Sequence, residues 1–152
     1  VLVPQFVQPG RGVRSVLDVG CGRGYLLERI EKARPDLTRT GCDVYEDVSI
    51  PGGKYMQGVI TELPFADNSF DVVTATCILE HIVDLEKAVQ ELRRVARKQV
   101  IIAVPCQRYY YYTLDMHIHF FPIKTDVERM MNMPTHTCDN IRGDWLYIGT
   151  KE

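Results

Sequence analysis

The run Ser15-Val-Leu-Asp-Val-Gly-Cys-Gly-Arg-Gly24 constrains the fold of this chain more than any other stretch. Val16, Leu17 and Val19 make a short, branched, apolar segment closed by glycine, which reads as a buried strand. Gly20, Gly22 and Gly24 then permit backbone angles that other residues avoid, and they leave bare backbone beside whatever approaches the turn. Tyr25 to Ala33 follows with Leu26, Leu27, Ile30 and Ala33 at helical spacing. Pro35 ends that helix, because the residue before a proline avoids helical geometry. Strand, glycine turn and helix in this order aim the helix's N-terminal amides at the turn, which favours a carboxylate or phosphate there.

The same alternation continues. Thr40–Val44, Lys54–Ile60, Phe70–Cys77 and Gln99–Val104 read as further buried strands. Asp84 is placed to cap a helix whose inner face carries Leu85, Ala88, Val89, Leu92 and Val95 or Ala96. Between them Glu62–Ser69 is turn chemistry. Beyond Pro105 the pattern predicts a short helix at Lys124–Asn132 and a final strand at Asp144–Thr150. Apolar strands alternating with amphipathic helices define an α/β fold. The expectation is one domain over residues 1–152: a doubly wound, mostly parallel sheet of about seven strands, helices on both faces and the last strand antiparallel.

Bulk properties exclude several classes. A net charge of −2 gives no global attraction to nucleic acid or an anionic membrane, so neither is expected as a partner. Arg93, Arg94, Arg97 and Lys98 read as the solvated face of a helix. No apolar stretch reaches the roughly 18 residues that a membrane helix needs. The cysteines number five, an odd count without a C-x-x-C pair, and three lie in apolar runs. Reduced thiols and a cytoplasmic location follow as the expectation.

The glycine turn alone also serves dinucleotides, but their G-x-G-x-x-G fingerprint would need glycine at Tyr25. Asp18, ahead of the turn, favours an ammonium group over a pyrophosphate. The sequence resembles the class I S-adenosylmethionine-dependent methyltransferases, in the subgroup that includes ubiquinone-biosynthesis and many small-molecule enzymes. The resemblance rests on D-V-G-C-G-R-G at residues 18–24, on E-L-P-F-A-D-N-S-F-D-V-V at residues 62–73 and on I-L-E-H-I-V-D at residues 78–84. It implies S-adenosylmethionine as cofactor. Gly20, Cys21, Gly22 and Gly24 would line its methionine part, with Asp18 near the ammonium group. Asp43 would take both ribose hydroxyls, Val44 would pack on the adenine, and Cys77 would contribute backbone near the amine. Where the family often has G-D-A, this chain has Gly58-Val59-Ile60, so that contact is lost or supplied elsewhere, with backbone at Ile60 and Thr61 placed to meet the ring.

The methyl acceptor is less legible. The resemblance admits a small or medium molecule, a sugar, a lipid or another metabolite. It argues against nucleic-acid bases, because Thr76-Cys77-Ile78-Leu79 stands where amino-directed enzymes carry Asn/Asp-Pro-Pro-Tyr/Phe. His81 is the best candidate base, with packing at the start of a helix as the alternative, and its neighbour Glu80 carries the same two readings. Tyr109–Tyr112 and Asp115–Phe121 offer either aromatic wall for an acceptor pocket or core around the last strands. The spacing of His117, His119, His136 and Cys138 matches no zinc signature, so no metal is assigned. No titratable pair in the sequence sets a base beside an orienting partner, and catalysis is expected to rest on placement. Few residues precede the first strand, so the acceptor site is open, incomplete here or completed by a partner chain. A degenerate, non-catalytic binding domain is the alternative, and an NAD-dependent oxidoreductase the less favoured one.

Overall fold

A computed structural model describes residues 12–109 and 114–151, which leaves Tyr110–Tyr112 outside the described residues. Seven strands form one sheet in the order β3-β2-β1-β4-β5-β7-β6. Their ranges are β1 Ser15–Val19, β2 Thr38–Asp43, β3 Lys54–Gln57, β4 Phe70–Thr76, β5 Ala96–Pro105, β6 Thr135–Ile141 and β7 Asp144–Thr150. The first five run parallel, while β7 pairs antiparallel with both β5 and β6. Among the described residues three α-helices pack on it: α1 Tyr25–Ala33, α2 Leu85–Val95 and α3 Lys124–Met131.

The chain winds outward from β1 to β2 and β3, then returns to β4 on the opposite side of β1. Strand order therefore reverses between β1 and β4, and their carboxyl ends are where such a sheet leaves a crevice. Alternation of side chains builds a core on each face. Val16, Val72 and Ile101 meet Leu27 and Ile30 of α1 on one face. Leu17, Val73, Val100 and Ile102 meet Leu92 of α2 and Val127 and Met131 of α3 on the other.

Buried ion pairs lock the amino edge. The Asp71 carboxylate, 2% exposed, accepts the Arg14 amide at 2.8 Å and a guanidinium hydrogen of Arg97 at 3.1 Å, with Lys98 Nζ 3.6 Å away. Burial opposes its charge, but the Arg14 amide and Lys98 prevail and hold its pKa below the ordinary value. Arg94 ties down the 62–69 turn, donating to Glu91, to Asp67 and to the carbonyls of Leu63 and Phe65.

These cations correct the sequence reading. Arg97 and Lys98 belong to β5 and not to a helix, and Arg94 is a clamp rather than solvated decoration. Three element readings also change. β3 stops at Gln57 because the Gly58 amide bonds to Asp43 O, and the chain then folds back through a Val59–Glu62 bridge. The α3 helix ends at Met131, since Asn132 adopts a left-handed cap with φ 44°. β6 was absent from the expectation because its T-H-T-C-D-N-I run is polar at most positions; it is an exposed edge strand with only Cys138 buried.

Removing the buried Asp71 carboxyl takes the acceptor from the Arg14 and Ser15 amides and from Arg97, whereas Arg97 itself is half exposed. Asp71→Ala is expected to cost about 3 kcal/mol, and Arg97→Ala no more than about 1 kcal/mol. Urea unfolding of the two variants measures the difference.

Candidate functional site

The crevice is built on the glycine turn. Gly20, Gly22 and Gly24 have φ of 73°, 51° and 79°, all left-handed, which explains three glycines in five residues. The turn is fastened to the end of β2. Amides of Gly20 and Cys21 donate to Cys42 O at 2.8 and 3.2 Å, and the Gly22 amide donates to Asp43 Oδ2 at 2.7 Å. The other Asp43 oxygen accepts the Val44 amide at 2.7 Å. Each carboxylate oxygen keeps a further lone pair for a ligand hydroxyl. A side chain at Gly20 would collide with Ile78, so glycine is required there for space as well as angle. At Gly22 an added Cβ would meet nothing within 4 Å, so this backbone faces open space.

A cavity of about 420 Å³ opens at this point. Of the residues assigned from sequence, Gly20, Asp43, Val44, Ile60 and Thr61 line it together. Gly58 and Val59 complete the β3 side, and Ile78, Ile82, Val83 and Asp84 the β4 side. A second hollow of about 630 Å³ is lined by Gly22, Arg23 and residues 45–49. The Asp43–Gly22 hydrogen bond joins a residue of each. Val44 and Val59 stand 56% and 47% exposed at the rim, unusually bare for branched apolar side chains inside a cavity wall.

Four assigned residues lie elsewhere. Asp18 is 2% exposed and does not line the cavity; Thr74 Oγ1 donates to it at 2.7 Å. Burial drives its pKa up to about 7, the Thr74 bond lowers it and nearby Asp43 raises it further. Cys21 is buried, its thiol pushed up to about 12 by burial and then by Asp18, so it is an inert filler. Gly24 caps α1 through its backbone. Cys77 is exposed with φ 53°, and its amide is already bonded to Ala103 O.

Beyond β4 a short 3-10 turn, Leu79–His81, carries the histidine singled out from sequence. His81 is exposed, not packed into a helix start, and its ring meets that of His117 edge-on at 4.8 Å. Glu80 beside it is 1% exposed, and burial raises its pKa. The Glu80 carbonyl accepts the amides of Ile118 and His119 at 2.9 and 3.1 Å, so the Asp115–Phe121 segment is tied to this turn. His136 and Cys138 lie away on β6, where His136 stacks on Tyr147. The sequence could not foresee the meeting of Glu80, His81 and His117. It spans 37 residues and rests on tertiary hydrogen bonds. Ile82, Val83 and Asp84 were missed as cavity residues, although the I-L-E-H-I-V-D segment contains them.

Fold, glycine turn and the acid closing β2 together define a class I methyltransferase type of α/β domain. The Methyltransferase domain family matches residues 17–104, and the chain belongs to it. It is 30% identical over 97 residues to the uncharacterized methyltransferase YcgJ of Bacillus subtilis, covering 58% of this chain and 38% of YcgJ. It is 31% identical over 107 residues to a probable S-adenosylmethionine-dependent methyltransferase of Mycobacterium tuberculosis, covering 68% of this chain and 39% of the relative. The chain thus spans about two fifths of the curated relatives it matches. An S-adenosylmethionine-dependent methyltransferase of Thermotoga maritima shares the fold with a TM-score of 0.76 at 16% identity, covering 99% of this chain and 86% of the other. A Haloferax volcanii methyltransferase solved in complex with the Trm112 activator does so with a TM-score of 0.72 at 15% identity, covering 93% and 84%. Family membership sets aside the NAD-oxidoreductase alternative. Among the described residues no helix is long and apolar enough to cross a membrane.

The buried Asp18 predicts a pH signature. With a folded pKa of about 7 against an ordinary 3.8, its contribution to stability is whole below pH about 4 and lost as pH rises through about 7. Each pH unit of displacement is worth about 1.4 kcal/mol. Asp18→Asn keeps the Thr74 hydrogen bond without the charge, so the variant should gain on the wild type by a few kcal/mol between pH 4 and pH 7. Urea midpoints of both proteins across that range measure it.

Proposed function

We propose that the cavity binds S-adenosylmethionine and that this domain serves methyl transfer to a small or medium acceptor. The observation that carries the reading is the convergence of the Asp43 carboxylate with bare Gly20–Gly22 backbone between two exposed valines. These residues suit the cofactor's three parts. Asp43 offers two acceptor oxygens to a ribose diol. Val44 and Val59 present apolar surface to the flat faces of an adenine, and Val59 thereby fills the place of the family's aspartate. Open space at Gly22 admits a chain of atoms against backbone amides. Pockets that hold such ligands run about 300–1,000 Å³.

Bound S-adenosylmethionine supplies an electrophilic methyl group on a sulfonium. The chain's part is to fix position: the glycine turn and Asp43 hold one reactant, and alignment with a nucleophile lowers the barrier by several kcal/mol. Buried beneath the turn with its pKa raised, Asp18 would stiffen the turn from beneath rather than meet the amine directly. Gly24, Cys21 and Cys77 would act through backbone alone. The acceptor's identity, whether sugar, lipid or other metabolite, is open to the same assay. A partner chain completing the acceptor side is consistent with the activator complex of the Haloferax relative. A binding domain without turnover is the second reading, favoured by the replacement of the adenine-holding aspartate by Val59.

Calorimetry is expected to give micromolar affinity for S-adenosylmethionine and its demethylated product, on the order of 8 kcal/mol, with NAD far weaker. Comparable NAD affinity would overturn the cofactor assignment. Asp43→Ala should weaken binding ten- to hundredfold, the loss of charge-assisted hydrogen bonds worth roughly 1.5–3 kcal/mol. Methyl release over a panel of acceptor classes then separates enzyme from binding domain.

The glycine at position 20 gives a sharper geometric test. Gly20→Ala adds a left-handed strain of about 1 kcal/mol and a clash with Ile78. It should lower the urea midpoint and abolish cofactor binding, whereas Gly22→Ala, which carries the left-handed strain but meets no clash, should lower the midpoint less and still lose affinity.

A further inference from the structure

We infer that Glu80, His81 and His117 form a binding site for a divalent transition-metal ion of the zinc class. One donor atom from each residue lies within 4.8 Å of the other two. Ligands about 2.0–2.2 Å from a tetrahedral zinc sit roughly 3.5 Å apart, so closing the site takes about 1 Å of side-chain movement. His81 is exposed and can rotate to supply it.

Three features prepare the site. Glu80 is 1% exposed, and its Oε2 has no hydrogen-bond partner among the described residues. Buried carboxylate oxygens are normally paired, hydrogen-bonded or coordinated to a metal. The titratable groups that face it are His81, His117 and Asp144. Each imidazole also turns its Nδ1 toward an oxygen. His81 Nδ1 lies 3.3 Å from the Met116 carbonyl. His117 Nδ1 meets Gln107 Oε1 and lies 3.3 Å from Asp115 Oδ2. An acceptor at Nδ1 keeps the proton there and puts the lone pair on Nε2, the arrangement that orients histidines toward metals. The Met116 carbonyl is presented from a left-handed backbone, φ 54°, an unfavourable conformation for methionine. Finally, the amides of Ile118 and His119 bind the Glu80 carbonyl and hold His117 against the 3-10 turn.

Two imidazoles and one carboxylate are the donor set of an open zinc site and suit cobalt or nickel equally. Magnesium and calcium, which prefer oxygen throughout, are disfavoured. Ile78 and Ile82 flank the turn and line the neighbouring cavity, so a bound ion would sit beside it. There it could take an acceptor oxygen and ease its deprotonation. That role rests on the methyl-transfer reading; metal binding does not.

Zinc titration by calorimetry of the metal-free protein, without S-adenosylmethionine, tests the site, with cobalt absorption reporting nitrogen ligation. One ion per chain at micromolar affinity or tighter is expected. His81→Ala and His117→Ala should each weaken it at least a hundredfold, and Glu80→Gln at least tenfold. His136→Ala, Cys77→Ser and Cys106→Ser should leave it unchanged. Circular dichroism melts establish which variants fold, and exposed His81 carries the test if Glu80→Gln does not. Absence of saturable one-to-one binding overturns the proposal, as does binding that survives both histidine variants. S-adenosylmethionine calorimetry on the same samples keeps the readings apart. A protein that takes cofactor but no zinc overturns the metal site alone, and one that takes zinc but no cofactor supports it while removing the cofactor reading.

Discussion

Three hydrogen bonds between the glycine turn and the end of β2 carry the rest of the site. Gly20 and Cys21 share the Cys42 carbonyl, and Gly22 donates to Asp43. They tie the loop after β1 to the neighbouring strand, so α1 starts from a fixed point and the crevice has a rigid floor. The same Asp43 carboxylate is both strut and candidate ligand. Its free lone pairs would meet a ribose without the turn having to rearrange, which lowers the entropy cost of binding. Dense packing beneath enforces this geometry, since Gly41 allows Ile50 and Cys21 into the space where a side chain would stand.

The opposite end of the sheet is held by charge. Asp71 gathers β1, β4 and β5 through two backbone amides and two cations, while Arg94 closes the turn that leads into β4. Such buried groups are costly unless satisfied, and here nearly every oxygen is. The contrast with Glu80 is sharp. Its oxygen, unpartnered among the described residues, lies at the carboxyl end of the sheet, where α/β folds place their ligands.

Much of the first hundred residues was legible because their signals are local. Strand, glycine turn and helix follow from Val16 to Ala33 by spacing alone, and Asp43 is found by its place at the end of the second strand. The assigned cofactor residues that line the cavity, Gly20, Asp43, Val44, Ile60 and Thr61, came from the family resemblance, which rests on local motifs. Reading failed where polarity hid an edge strand, as in β6, and where helix and strand share a basic run, as at Arg97 and Lys98. In both places the decisive contacts lie in another segment.

The sequence by itself determined the fold class and the strand–glycine turn–helix that builds the crevice, because apolar periodicity and three glycines act over a few residues. Only the tertiary structure decided that Asp18 is buried under Thr74 rather than set in the cavity wall, and that Arg94 and Asp71 are structural clamps. It alone brought His117 to Glu80 and His81. Burial and long-range proximity are properties of the packed chain, and packing sets the charge, partners and chemistry of a side chain whose identity the sequence merely names.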